Sequence, residues 1–89
     1  MKQKGFEKPV KYLFIGEPNL TKTTLAGRTG LTVFETDSLS DPNDISHYDL
    51  SKDIIIFGGK HGIVNYPYGE IVKRLAKYQV IILHFMKGN

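Results

Sequence analysis

With 89 residues the chain is expected to form one small domain, whose core is marginal unless it is tightly packed or covered by a partner. A composition of 40% hydrophobic and 24% charged residues is that of a globular protein rather than a disordered one, and the formal charge of +3 is modest. The absence of cysteine excludes disulfides, thiolate chemistry and cysteine-ligated metals.

Much of the positive charge falls early, at Lys2, Lys4, Lys8 and Lys11. This reads as a flexible, solubilising basic segment over residues 1–10, with a weak preference for phosphate or nucleic acid as the alternative. No apolar stretch follows the first lysines, so the start does not read as a secretory signal. The longest apolar runs, Ile54–Phe57 and Val80–Leu83, fall far short of the roughly 20 residues that span a bilayer. A cytoplasmic protein without a membrane partner is expected.

From residue 11 onwards the pattern is that of a single domain. Tyr12–Ile15 reads as a buried strand, and a short helix runs from about Thr21 to Arg28, ending in the Gly27–Gly30 region. Thr32–Glu35 is a second strand, β-branched and aromatic. The Ser/Asp/Pro/Asn-rich stretch from Ser38 to Ser51 contains a turn at Ser40–Asp44, and its length predicts either function or local helix. Asp53–Phe57, apolar on both faces, reads as a central parallel strand, and a glycine-rich loop, Gly58–Gly62, follows it. Tyr68–Lys77 is a second helix, with Glu70 in its first turn and Lys73, Arg74 and Lys77 in its last. Gln79–Phe85 is a fourth strand. Strands alternating with helices predict an α/β fold, a small parallel sheet of about four strands with flanking helices.

The chemistry concentrates after the first strand. Gly16-x-x-x-x-Thr21-Lys22-Thr23 has the layout of a phosphate-binding loop, G-x-x-x-x-G-K-[ST], between a strand and a helix. In such a loop backbone N–H groups surround the β-phosphate, the lysine bridges phosphates and the hydroxyl holds Mg²⁺. Gly16, Lys22 and Thr23 stand where that chemistry needs them. Thr21 replaces the second glycine, where its Cβ would crowd the phosphate, and it also suits a helix N-cap. Pro18 is tolerable in the early loop, and Asn19 is next best to glycine in a left-handed conformation.

On these residues the chain resembles a P-loop small-molecule kinase of the shikimate kinase and adenylate kinase type, in a minimal form. The segment Gly30–Leu39 is similar to the one in which those kinases carry Asp-x-Asp after strand two, with Glu35 on the first acid and Asp37 on the second. The resemblance implies Glu35 near Mg²⁺ and Asp37 near the ligand. It also implies an acceptor site lined by Gly58 and Gly59, with Lys60 in place of a third glycine. ATP or GTP with Mg²⁺ is the implied cofactor. The resemblance covers residues 11–62 and, more loosely, 63–85. Among the departures, no Asp follows the third strand, and the arginine-bearing lid of such kinases has no counterpart.

His61, in the glycine-flanked loop, reads as an anion contact with Lys60 or as a surface histidine; His47 and His84 lie in unrelated contexts with no metal-ligand spacing. Ser38 and Ser40 lack a His–Asp partnership. Tyr48, Tyr66 and Tyr68 with Lys60 offer either a thin single-strand nucleic-acid surface or aromatic packing under loops, and nucleic acid is not the expected partner. Three readings result. In the first, the domain binds a nucleotide or other phosphate-containing ligand with little or no catalysis. The second is a non-catalytic scaffold that binds another protein or itself through open sheet edges. The third is a small kinase or NTPase completed by a partner chain.

Overall fold

The computed structural model describes residues 8–17, 21–60, 62 and 65–85. Four strands, β1 (Val10–Gly16), β2 (Val33–Glu35), β3 (Ile54–Phe57) and β4 (Gln79–Phe85), form one sheet in the order β2-β3-β1-β4. Every pairing is parallel. Helix α1 (Thr21–Thr29) joins β1 to β2, and α2 (Tyr68–Arg74) joins β3 to β4. The α/β fold expected from the alternating pattern is the one observed.

The apolar runs explain the order. Ile54, Ile55, Ile56 and Phe57 are all buried, as are Leu13, Phe14 and Ile15, so β3 and β1 are covered on both faces. From β1 the chain moves outward past β3 to β2; from β3 it moves the other way, past β1, to β4. Right-handed crossovers in opposite directions put their connections on opposite faces. The core divides accordingly. Ala26 of α1 packs with Phe14, Ile54 and Ile56, while Ile71 and Leu75 pack with Leu13, Ile15, Ile55 and Phe57.

Helix α1 is barely amphipathic. Lys22 and Ala26, four residues apart, are its buried residues. It ends at Gly30, whose φ of 75° supplies the left-handed residue that commonly follows a helix. Thr21 is the first helical residue rather than the N-cap it also suited in the sequence.

Several boundaries differ from expectation. Strand β1 begins at Val10, inside the segment read as a flexible tail, and the Pro9 carbonyl accepts a hydrogen bond from Gln79 N at 2.8 Å. Lys11 is no part of a solvated tail: it is buried, its Nζ donates to the Lys52 carbonyl at 2.7 Å and lies 4.7 Å from the Tyr78 ring centre. Thr32 and Asp53 precede their strands and bind each other instead. Thr32 Oγ1 donates to Asp53 Oδ2 at 3.1 Å and accepts from Asp53 N at 2.9 Å, which sets the start of the β2–β3 pairing. Helix α2 stops at Arg74 because the chain tightens into a turn, with Leu75 N bonded to both Ile71 O and Val72 O.

The stretch between β2 and β3 is locally helical, with 3₁₀ turns at Thr36–Ser38 and Ile45–His47. The expected Asx turn is present, Asn43 N donating to Asp41 Oδ1 at 3.0 Å. Tyr48 anchors this stretch. Its ring lies 6.3 Å from Phe57 and its hydroxyl donates to the Pro42 carbonyl at 2.7 Å. Tyr66 is likewise buried, so both rings pack under loops, the second of the two readings their sequence allows. Among the described residues no helix is long and apolar enough to cross a membrane.

Candidate functional site at the switch point of the sheet

Because β1 and β3 are neighbours whose connections leave in opposite directions, a crevice opens beyond their C-terminal ends. In open α/β sheets this is where ligands bind. Here the chain delivers Gly16 and Glu17 from β1, Lys22 from the first turn of α1, Asp37 from the turn after β2, and Gly58 from the end of β3.

Lys22 is a fully buried side chain, a placement that costs free energy unless its charge is met. Its Nζ donates to the Glu17 carbonyl. Burial pushes its pKa below that of an ordinary lysine, and the charges of Asp37 and then Glu17 oppose that shift. Among the described residues no carboxylate lies within ion-pair distance of the amine. Among the described residues the ammonium therefore has the Glu17 carbonyl as its ligand and Asp37 as its foremost counter-charge.

Asp37 is positioned by glycine. A Cβ on Gly58 would fall on the Asp37 carboxylate, so the acid lies directly over the end of β3 only because residue 58 has no side chain. Tyr66 Oη stands 3.5 Å from Asp37 Oδ1 at the far side. Two buried hydroxyls have no hydrogen-bond partner among the described residues: Thr36 Oγ1, in the residue before Asp37, and Tyr68 Oη, whose ring lies 5.9 Å from that of Tyr66.

The other residues singled out by sequence are less gathered. Gly16 does not adopt a positive φ. It is needed because a Cβ there would strike the Phe85 carbonyl of the adjoining β4. Thr21 and Thr23 are exposed on α1. Glu35 is exposed at the end of β2, paired with Ile56 and so two strands, about 10 Å, from β1. Gly59 has a φ of 86°, which suits only glycine well, and Lys60 beyond it is exposed. His61, Pro18, Asn19 and Leu20 lie outside the described residues.

Three contributors escape a reading by motif. The Glu17 carbonyl is invisible because any residue would provide it. Tyr66 and Thr36 join the site through the packing of the β2–β3 and β3–β4 connections. Alternation marks neither, although Thr36 lies between Glu35 and Asp37. Compared with protein-family models, curated proteins and solved structures, the chain matches none.

Proposed function

We propose that the domain binds a phosphate-containing ligand, a nucleotide such as ATP or GTP with Mg²⁺, in the crevice between β1 and β3, with little or no catalysis. The observation that carries this reading is Lys22: a buried lysine at the start of α1, whose ammonium donates to the Glu17 carbonyl and has no carboxylate within ion-pair distance among the described residues, at the switch point of the sheet. A phosphate oxygen would replace the Glu17 carbonyl as its ligand, exchanging a neutral acceptor for a charged one. The N-terminal turn of α1 adds its positive dipole end. Thr23, exposed in that turn, is the hydroxyl for Mg²⁺, and Glu35 would act on the metal through water. Asp37 would stand beside the ligand, at the acceptor side formed by Gly58, Gly59 and Lys60.

Little catalysis is inferred from the arginines. Arg28 closes α1 at the end away from the crevice, and Arg74 lies at the end of α2, paired with Glu70 at 3.5 Å. Neither clamps a transferring phosphoryl group from there. A kinase or NTPase completed by a partner's arginine is the corresponding active form of this reading. A second reading, an interaction scaffold, is favoured by one specific observation, the apolar edge of β4.

Calorimetric titration with ATP and GTP, each with and without Mg²⁺, tests the proposal. Binding should weaken at least about 10- to 100-fold in Lys22→Ala, the worth of one charge-assisted hydrogen bond, and so be lost at nucleotide concentrations that just saturate the wild type. Absence of binding at millimolar nucleotide, or equal binding by Lys22→Ala, would refute it.

A further inference from the structure

The two edges of the sheet are built differently. Strand β2 is three residues long, ends in the charged Glu35 and turns at once into a 3₁₀ turn. Short, charged edges of this kind resist pairing with other chains. Strand β4 has none of these protections. Its seven residues, Gln79–Phe85, include no Lys, Arg, Asp, Glu, Pro or Gly, and they pair with β1 in uninterrupted register, without a bulge. Val80–Leu83 is the continuous apolar run of a strand buried on both faces, yet Ile82 is 51% and Leu83 37% exposed. Among the described residues nothing pairs with its outer side. On the α1 face, Leu83 also closes an apolar hollow of about 360 Å³ lined by Tyr12, Phe14, Leu25 and Leu31.

An unpaired row of backbone N–H and C=O groups accepts another extended strand, and the sequence of β4 fits itself. We propose that this edge joins a second copy of the chain by antiparallel β4–β4 pairing about a two-fold axis at Ile82, fusing two sheets into one. In that register Ile82 faces its own counterpart, Ile81 faces the second copy's Leu83, and Val80 faces the second copy's His84. Over the central Ile81–Leu83 apolar meets apolar, the imidazole of His84 and the amide of Gln79 fall at the outer positions against Val80 and Phe85, and no acidic or basic side chain of β4 meets its like. Such an interface is isologous and closes at two copies, as most soluble oligomers do. The inference rests on the edge alone and is independent of the phosphate site.

The test is sedimentation or light scattering of the full chain at about 100 µM, where a dimer of micromolar affinity is largely formed. The wild type should be dimeric. Ile82→Lys, placing two like charges face to face on the axis, should be monomeric with unchanged circular dichroism. A second pair of variants keeps the register testable in this cysteine-free chain. Ile82→Cys should crosslink to itself on mild oxidation, because directly opposed Cα atoms lie about 5 Å apart. His84→Cys should not, its counterpart being offset by four residues, about 13 Å. A monomeric wild type, a dimer that survives Ile82→Lys, or crosslinking by His84→Cys but not Ile82→Cys would each overturn the proposal.

Discussion

Replacing Lys22 by methionine separates a ligand-binding lysine from a structural one. The change keeps the length of the side chain and removes its ammonium. Among the described residues the buried charge is met by a carbonyl and no paired carboxylate, which is poor compensation, and replacing buried ionic groups by apolar ones of similar volume is commonly neutral or stabilising by about 1–4 kcal/mol. Glu17 and Thr23 on either side are exposed, so the site lies near the surface and the low end applies. Water can also satisfy the Glu17 carbonyl once the amine is gone. Lys22→Met should therefore be more stable than the wild type by about 1 kcal/mol, a rise in Tm of roughly 4–8 °C for a domain of this size. Nucleotide binding should be lost at the same time, as expected where a strained group is kept for function. The pH dependence has a definite sign. Burial lowers the pKa of Lys22 in the folded chain, so between that value and 10.5 the unfolded chain holds more protons than the folded one. Wild-type stability gains over that window, and the advantage of Lys22→Met should shrink as pH rises through it. Thermal melts of both proteins from pH 7 to 10 make the comparison. A variant destabilised by 1 kcal/mol or more would show that the Lys22–Glu17 bond holds the fold together, and the reasoning would fail.

Three further outcomes follow from the geometry. Gly58→Ala should cost about 1–3 kcal/mol by driving Asp37 from its place, and most of that cost should vanish in an Asp37→Ala background, as a double-mutant cycle by chemical denaturation would show. Gly16→Ala meets the backbone of Phe85, which cannot rotate away. It should cost at least as much as Gly58→Ala, with no rescue by any side-chain truncation, and hydrogen exchange should rise along β4. Burial, with Tyr66 beside it, pushes the Tyr68 hydroxyl up to about 12, and burial raises the Tyr48 hydroxyl further still, so in a spectrophotometric titration at 295 nm these two should ionise late or only on unfolding, Tyr48 after Tyr68.

The sequence makes some of this architecture legible. Apolar runs locate β1, β3 and β4 because a strand buried on both faces needs no alternation to be recognised. The same feature does not tell that β4 lies at the edge; strand order is a property of crossovers, which local pattern does not record. Gly16 and Gly58 stand out as site residues, but the reasons lie in contacts with Phe85 and Asp37, 69 and 21 residues away in the chain. Lys22 and Thr23 are legible from their spacing. That Lys22 and Asp37 share a crevice depends on β3 lying beside β1. Tyr66 cannot be read at all until the β3–β4 connection folds back over the sheet.

The most direct test of the central claim is a ¹⁵N-resolved NMR titration of the full chain with Mg²⁺ and ATP. If the switch-point crevice binds phosphate, the amide signals of Gly16, Thr21–Thr23, Asp37 and Gly58 should shift together and saturate with one affinity, and Lys22→Met should abolish the response. Shifts confined to the outer faces of the helices or to β4, or no saturable shifts at millimolar nucleotide, would contradict the account.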